Sequence, residues 1–177
     1  MKELLPHEAD TLRALLDKGL QENERAAVDM SAAASDTNSW HDNAEYDEAI
    51  ERMKLIDARY TPLMKILGSM TVLEYPDAED KRVRLGSLAY VNFGDDTQPV
   101  LVVGLRLDSE ALYQDAWKRE GNEEDLMVVT SESPLGTVLL GIESGNQVIL
   151  HVGTASSELV VNDIDQAWIS QFKPEDS

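Results

Sequence analysis

Cysteine is absent from the 177-residue chain, and basic residues are scarce. Without thiols the protein can form no disulfide, no cysteine-ligated zinc site and no cysteine nucleophile. The longest apolar runs, such as Val100–Leu105, are far shorter than the roughly 20 residues of a membrane-spanning helix, and the N-terminal residues lack a signal-peptide core. We therefore expect a soluble cytoplasmic protein that has no membrane partner.

Negative charge dominates the composition. The chain has 15 Lys and Arg against 34 Asp and Glu, which gives a formal net charge of −19. Such a charge repels phosphate backbones, so any role with nucleic acid must pass through a partner. Residues 1–73 contain 8 basic and 14 acidic residues, whereas residues 74–177 contain 7 and 20. The uneven distribution suggests two domains.

Residues from Pro6 to about Ala34 predict one long helix. The segment has no internal proline and is rich in Leu, Ala, Glu, Lys and Arg, with Pro6 in the first turn and Glu8 near the positive helix end. Apolar residues recur at steps of three and four, although Gly19 and Asn23 weaken the middle of the stripe. This first seam consists of Leu5, Ala9, Leu12, Leu16, Asn23, Ala26, Met30 and Ala33.

A second segment repeats this pattern without interruption, which is typical of a two-stranded coiled coil. The intervening residues Ala34–Asp42 are short and turn-rich, so we expect an antiparallel helical hairpin, each helix of about 28 residues being roughly 42 Å long. Pro62 lies inside the second segment, and because proline removes a backbone hydrogen bond we expect a kink or break near Tyr60. The second seam consists of Tyr46, Ala49, Met53, Ile56, Tyr60, Leu63 and Leu67.

From Gly68 onward the pattern changes to short β-rich runs separated by glycine-containing turns. Ser133 and Pro134 open a short helix that runs to Leu140, with Ser133 as its N-cap. A small sheet crossed by one helix is an α+β domain. The sequence leaves open whether Asp108–Arg119 is helical or an ordered insertion. The predicted strands are Met70–Leu73, Arg84–Phe93, Pro99–Leu105, Leu126–Val129, Gln147–Val152 and Leu159–Val161.

Two separate motifs resemble those of one family. Asp42-Asn43-Ala44-Glu45-Tyr46, just after the hairpin turn, resembles the Glu-Asn-Ala-Glu-Tyr signature of bacterial Gre transcript-cleavage factors. Ser133-Pro134-Leu135-Gly136, continued by Leu139-Leu140-Gly141 and Gly145-Asn146-Gln147-Val148, resembles the C-terminal pattern of that family. The motifs occur in the right order, with a coiled coil before and a sheet between, so the resemblance covers nearly the whole chain.

The resemblance implies a fold and a partner. It implies an N-terminal coiled-coil finger, residues 1–73, and a C-terminal domain, residues 74–177, similar to the FK506-binding-protein fold, with an antiparallel sheet and one short helix. The partner would be RNA polymerase: the globular domain docks at the rim of the secondary channel, and the finger passes down it to the active centre. The protein would be a monomer, would have no cofactor of its own, would not itself be an enzyme and would meet nucleic acid only through the transcription complex.

The resemblance also implies a chemistry for the tip. In the family, two acidic tip residues help polymerase to hold its second magnesium ion and to position water for hydrolysis of backtracked RNA. Carboxylates suit this role because hard divalent cations take oxygen ligands. Here Ser39 replaces one of these acids, and Asp42 replaces the other with a side chain one methylene shorter. Asp42 is therefore the candidate catalytic residue and magnesium ligand, and Asp36 is a candidate substitute for the missing acid.

Local structure offers a second interpretation of several of these residues. Ser39 and Asp42 have the spacing of a capping box, and Trp40 either contacts polymerase or packs locally. The candidate polymerase contacts at the tip are Ser39, Trp40, His41, Asn43, Glu45 and Tyr46, and the C-terminal motif comprises Ser133, Pro134, Leu135 and Gly136.

Within the C-terminal motif we expect a structural role to dominate. Ser133 is expected to act only as a cap, and Leu135, Leu139 and Leu140 are expected to lie in the core rather than on a docking surface.

Several functions stay open at this level. The first is an elongation factor that modulates backtracked complexes and stimulates transcript cleavage, and the second is a cleavage-deficient regulator that occludes the channel. A peptidyl-prolyl isomerase would need an aromatic-lined cleft, and aromatic residues make up only 6% of the chain. A coiled-coil scaffold would bind no polymerase at all.

Overall fold

The computed structural model describes residues 1–35, 44–107 and 109–172. Its contacts divide the chain into two compact units: Asp10–Met70 with Met1, which we call the hairpin unit, and Lys2–Ala9 with Thr71–Ser177, which we call the sheet unit. The hairpin unit therefore begins later and ends earlier than the predicted finger of residues 1–73, because residues 2–9 and 71–73 group with the sheet unit. In the described ranges no helix combines the length and apolar character that crossing a bilayer requires.

Two helices make up the hairpin unit: α1 (Pro6–Ser35), from Asp10 onward, and α2 (Ala44–Ser69). Gly19 packs on Tyr60, and Asp29 forms an ion pair with Arg52 at 3.0 Å, so later residues of α1 meet earlier residues of α2. This order confirms an antiparallel pair. Every member of the second seam is buried or half-buried, as are the first-seam positions from Leu12 to Ala33.

Pro62 does not break α2, which continues to Ser69, so of the expected kink or break near Tyr60 the break does not occur. Proline removes only its own N–H and disturbs the carbonyl four residues earlier, at Ala58. Pro62 and Ala58 are both exposed, so water can satisfy that carbonyl without cost to the seam. The proline therefore lies on the exposed side of α2 rather than in the seam.

The sheet unit contains two sheets. β1 (Glu3–Leu4) pairs in parallel with β2 (Thr71–Val72). The five-stranded sheet has the order β5-β4-β3-β7-β6, built from β3 (Leu88–Asn92), β4 (Thr97–Val103), β5 (Met127–Thr130), β6 (Gln147–Val152) and β7 (Ala155–Asp165). The helices of this unit are α3 (Ser109–Arg119), α4 (Pro134–Leu139) and a final 3-10 turn (Trp168–Phe172).

The main sheet has a hydrophobic core on each face. Side chains alternate along a strand, so Leu101 and Val103 of β4 join one core, and Val100 and Val102 join the other. The first core contains Tyr113, Ala116 and Trp117 of α3, and the second contains Leu139 of α4. The α+β class is thus confirmed, with helices on both faces of the sheet.

Three details of the predicted fold were wrong or incomplete. The strand pair β4 and β5 is parallel, so the sheet is not purely antiparallel, and α3 makes the crossover that a parallel pair requires. That helix settles the open interpretation of Asp108–Arg119 as helical from Ser109 onward. Leu5, assigned to the first seam, is buried in the core of the sheet unit because it precedes the hairpin unit.

Candidate functional site

The residues between the two long helices include most of the predicted site. α1 ends at Ser35 and α2 begins at Ala44. The candidates Asp36, Ser39, Trp40, His41, Asp42 and Asn43 lie outside the described residues. Their assigned roles therefore stay predictions from the sequence.

Glu45 and Tyr46 are the predicted tip residues that the structure describes. Both lie in the first turn of α2, where Glu45 is exposed and Tyr46 is half-buried at the start of the seam. Glu45 and Asp47 place negative charge at the positive end of the helix, which is favourable. Stabilising the start of α2 is thus a sufficient structural role for Glu45. Tyr46 contributes to the contact between α1 and α2.

Small side chains let the helices approach each other near the loop. Ala33 of α1 and Ala49 of α2 are both almost fully buried. Arg52 then joins the helices, with guanidinium nitrogens 3.0 Å from the Asp29 carboxylate and 3.3 Å from the Glu48 carboxylate. These pairs are half-exposed, so each contributes at most about 1 kcal/mol. A hollow of about 380 Å³ lies beside them, lined by Asp29, Ala32, Ala33, Glu45, Glu48, Ala49 and Arg52.

Gly19 explains the weak middle of the first seam. A Cβ atom at this position would lie 2.6 Å from the Tyr60 ring, so only glycine leaves room for the ring between the helices. The Tyr60 hydroxyl donates a hydrogen bond of 3.2 Å to Glu22 across the pair. The Tyr60 ring thus fills the space that Gly19, which has no side chain, leaves on α1.

The C-terminal motif has a clear structural role. The Ser133 hydroxyl donates to the Thr130 carbonyl at 2.7 Å and accepts from the Gly136 amide at 3.1 Å, which confirms Ser133 as the N-cap. A Cβ at Gly136 would lie 2.0 Å from the Thr130 carbonyl oxygen, so the turn needs glycine there. Pro134 occupies the first helical turn, where it is well tolerated.

The three leucines of this region differ in burial. Leu139 is fully buried, and Leu135 packs partly buried against the same core. Leu140 is 37% exposed, so its assignment to the core was wrong. It follows the last residue of α4 and is the C-cap of that helix.

Glu8 is a buried carboxylate whose role the sequence did not indicate. It is 1% exposed, and its oxygens accept hydrogen bonds from the amides of Leu5 at 2.6 Å, Gly104 at 2.7 Å and Leu105 at 3.3 Å. Burial raises the pKa of Glu8 above its ordinary value, against the opposing effect of these amides and of Lys2. The sequence placed Glu8 only at a helix N-terminus, because its partners Gly104 and Leu105, which follow β4, are about a hundred residues away.

A further candidate in the described part of the chain would be a cluster of side chains that could bind a metal ion. Within residues 1–35, 44–107 and 109–172, no group of three or more His, Asp or Glu is placed to hold a metal ion. His7 instead lies among aromatic side chains, with ring nitrogens 3.0 Å from the Tyr75 hydroxyl and 2.7 Å from the Tyr113 hydroxyl. His7 is therefore part of the core of the sheet unit.

No family model matches the sequence, but the chain is similar to several proteins described as transcription elongation factor GreA. The chain is 31% identical over 121 residues to transcription elongation factor GreA of Desulfotalea psychrophila, covering 67% of this chain and 68% of that protein. It is 28% identical over 132 residues to GreA of Chloroflexus aurantiacus, covering 73% and 75%. Among solved structures, GreA factor homolog 1 of Thermus thermophilus is 22% identical with a TM-score of 0.41, covering 93% and 98%.

Proposed function

Since this chain belongs to the Gre family of transcription elongation factors, we propose that it binds RNA polymerase and inserts the loop end of its helical hairpin into the secondary channel, where it modulates backtracked complexes. The sheet unit docks at the channel rim. The protein acts as a cytoplasmic monomer and meets nucleic acid only within the transcription complex.

The observation that carries this proposal is the antiparallel seam between α1 and α2. The 30 residues of α1 extend about 45 Å, and residues 36–43 connect its last residue to the first residue of α2. The net charge of −19 also supports this proposal. A chain with this charge repels the phosphate backbone of nucleic acid, so we expect it to bind a protein surface of the polymerase instead.

The chemistry we propose belongs to the polymerase, with this chain as an accessory factor. Asp42, with Asp36 as a second carboxylate, adds oxygen ligands toward the magnesium ion of the polymerase active centre. That ion supplies charge stabilisation for phosphoryl displacement. The donor set fits the ion, because both side chains are hard oxygen ligands.

Ser39 favours a second candidate function, a cleavage-deficient regulator that occludes the channel. A neutral hydroxyl stands where the family motif has an acid. A carboxylate about 4 Å from a divalent cation is worth several kcal/mol even at an effective dielectric near 20, and a loss of about 1.4 kcal/mol already slows a reaction tenfold. Under this alternative the chain binds polymerase but does not accelerate cleavage.

A cleavage assay on backtracked complexes with core RNA polymerase tests the proposal. We expect the unmodified chain to accelerate cleavage, Asp42→Ala to reduce that stimulation about tenfold or more, and Ser39→Asp to raise it. Asp57→Ala is the matched control, since it removes an exposed carboxylate from α2 far from the loop. Binding is measured separately by pull-down.

Each outcome separates the candidates. Binding without stimulation, together with slower elongation, would favour the occluding regulator. Equal loss in Asp42→Ala and Asp57→Ala would remove the specific role of Asp42. A chain that does not bind polymerase would overturn both functions.

A further inference from the structure

An ion pair joins the two long helices near the residues that connect them, in a region that we call the loop end and define as residues 26–35 and 44–52. A guanidinium nitrogen of Arg52, on α2, lies 3.0 Å from the Asp29 carboxylate on α1. A second nitrogen of the same group lies 3.3 Å from the Glu48 carboxylate, one turn earlier on α2. The rigid fork of a guanidinium holds two acceptors in fixed directions. Arg52 therefore links one residue of each helix in a defined geometry.

The most buried side chains of the loop end are small. They are the alanines Ala26, Ala33 and Ala49, each of which supplies a single methyl group to the seam. Farther from the loop end the seam buries Leu16 and Tyr60, whose side chains are much larger. Stabilisation by apolar burial grows with the area buried. Packing therefore holds the two helices less firmly at these alanines, and the polar contact of Arg52 matters more there.

Acidic residues surround Arg52. The loop end contains five Asp and Glu residues, and Arg52 is the only Lys or Arg in its sequence. Three of these carboxylates, from Asp29, Glu45 and Glu48, line the hollow beside Arg52. Without the guanidinium, the acids of α1 and α2 would face one another, and like charges repel. Removing Arg52 thus replaces an attraction between the helices by a repulsion, which is more than the loss of one exposed ion pair.

The ion pair lies close to both ends of the connection. α1 ends at Ser35 and α2 begins at Ala44, so Asp29 and Arg52 each lie about two helical turns from the end of their helix. A change in the spacing of the helices at this pair would move the two ends that carry residues 36–43. A misplacement of about 1 Å can slow a reaction about 100-fold, so this spacing is important for any group that those residues deliver.

We propose that Arg52 is a positioning residue: through Asp29 it fixes the spacing of the helix ends that carry residues 36–43, and so sets where those residues act in RNA polymerase. The contact with Glu48 cannot have this role, because Glu48 and Arg52 lie on the same helix. Arg52 itself touches neither RNA nor the magnesium ion. This inference rests on the proposed function, because it names the contact within the hairpin unit that places residues 36–43.

Spin labels measure the spacing of the helix ends directly. The chain contains no cysteine, so Ala34→Cys and Ala44→Cys place labels only at two exposed positions that flank residues 36–43. In the otherwise unmodified chain we expect a narrow distribution of label distances by pulsed electron paramagnetic resonance. Arg52→Gln is expected to make that distribution at least twice as wide. The matched control is Glu51→Gln, which removes an exposed acid of α2 that pairs with Lys54 instead, and it should leave the width unchanged.

The effect on polymerase separates positioning from binding. Backtracked complexes are titrated with the unlabelled chain, and two quantities are measured: the maximum effect on transcript cleavage or elongation, and the concentration that gives half of it. Arg52→Gln is expected to lower the maximum about fivefold or more and to change the half-maximal concentration less than twofold. Arg52→Lys keeps the charge and is expected to retain about half of the maximum. Glu51→Gln is expected to change neither quantity.

A double-mutant cycle tests whether Arg52 acts through Asp29. Asp29→Asn is expected to lower the maximum as Arg52→Gln does, because either change breaks the contact between the helices. The double variant should lose no more than Arg52→Gln alone, since both changes remove the same contact. Glu48→Gln, which leaves that contact in place, should lower the maximum less than twofold. Losses that multiply in the double variant would contradict a shared role.

The outcomes distinguish this inference from the proposed function. If the unmodified chain does not bind polymerase, or leaves backtracked complexes unchanged, both fail. If it acts and Arg52→Gln, shown by circular dichroism to keep its helix content, reaches the same maximum, the role of Arg52 is wrong and the proposed function stands. A higher half-maximal concentration with an unchanged maximum would make Arg52 a binding contact and overturn the inference. An unchanged width of the label distances would overturn it as well.

Discussion

The hairpin unit and the sheet unit bury their side chains in different ways. In the hairpin unit the most buried positions are few, and many are small, such as Ala26, Ala33 and Ala49. In the sheet unit both faces of the main sheet are covered, and large side chains such as Tyr113 and Trp117 are almost fully buried. A single seam depends on local fit between two helices, whereas the sheet depends on contacts between distant parts of the chain.

The difference has consequences for substitutions. An added atom in the hairpin seam meets side chains that can move, because much of α1 and α2 borders solvent. An added atom at Gly104 or Gly136 of the sheet unit meets a backbone carbonyl. Replacing a glycine by alanine is therefore expected to lower the free energy of unfolding by different amounts in the two units. Measuring both losses tests whether the hairpin unit and the sheet unit differ in this way.

Gly104→Ala is expected to have the largest effect. The new Cβ would lie 2.2 Å from the carbonyl oxygen of Glu3 and 2.9 Å from the Glu8 carboxylate, so backbone must shift. We expect the free energy of unfolding of the sheet unit to fall by about 3 kcal/mol, measured in urea by the fluorescence of Trp117 and Trp168.

The control for this change is Gly68→Ala, because a Cβ there meets nothing within 4 Å. It is expected to leave the stability unchanged or to raise it by up to about 1 kcal/mol through helix propensity. A loss at Gly104 no larger than the effect at Gly68 would contradict the close approach.

The sequence predicted the hairpin better than the sheet unit, and the reason is the range of the contacts. Steps of three and four identify the seams because each seam lies within one helix. No such pattern links Glu8 to Gly104, or assigns Leu5 to a sheet that begins more than eighty residues later. The six predicted strands lie within a few residues of observed strands, but the sequence indicated neither β1 nor the parallel pairing of β4 and β5.

The candidate site was predicted only in part for a related reason. Ser133 was identified as a cap because capping depends on neighbouring residues, and the structure confirms it. Gly19 was interpreted as a weakness of the first seam, since its partner Tyr60 lies on the other helix. The roles of Asp36 and Asp42 rest on the family motif and stay predictions.

Glu8→Gln is expected to have an intermediate effect. An amide nitrogen would replace one carboxylate oxygen, so one of the amides of Leu5 and Gly104 would face a donor instead of an acceptor. We expect a loss of about 2 kcal/mol, because a buried donor is left without a partner. Chemical unfolding at a series of pH values measures this loss.

The pH series also tests the direction of the Glu8 titration. Burial raises the pKa of Glu8 in the folded protein, so the folded state holds this proton more tightly than the unfolded state does. Its contribution to stability is then fully present below the unfolded pKa and is lost as the pH rises through the folded pKa. The stability difference between the unmodified chain and Glu8→Gln should therefore narrow as the pH rises from about 4. A difference that widens would mean that the three amides outweigh burial.

Gly19→Ala is expected to have the smallest effect, although its Cβ would lie 2.6 Å from the Tyr60 ring. The ring can shift toward solvent, and alanine favours the helix by about 1 kcal/mol over glycine, which offsets part of the clash. We expect a net loss of about 1 kcal/mol in the hairpin unit, measured by far-ultraviolet circular dichroism during thermal unfolding. In a Tyr60→Leu background the same substitution should become neutral or stabilising, because the ring is gone. If it destabilised both backgrounds equally, the seam would be as rigid as the sheet, and the contrast between the two units would fail.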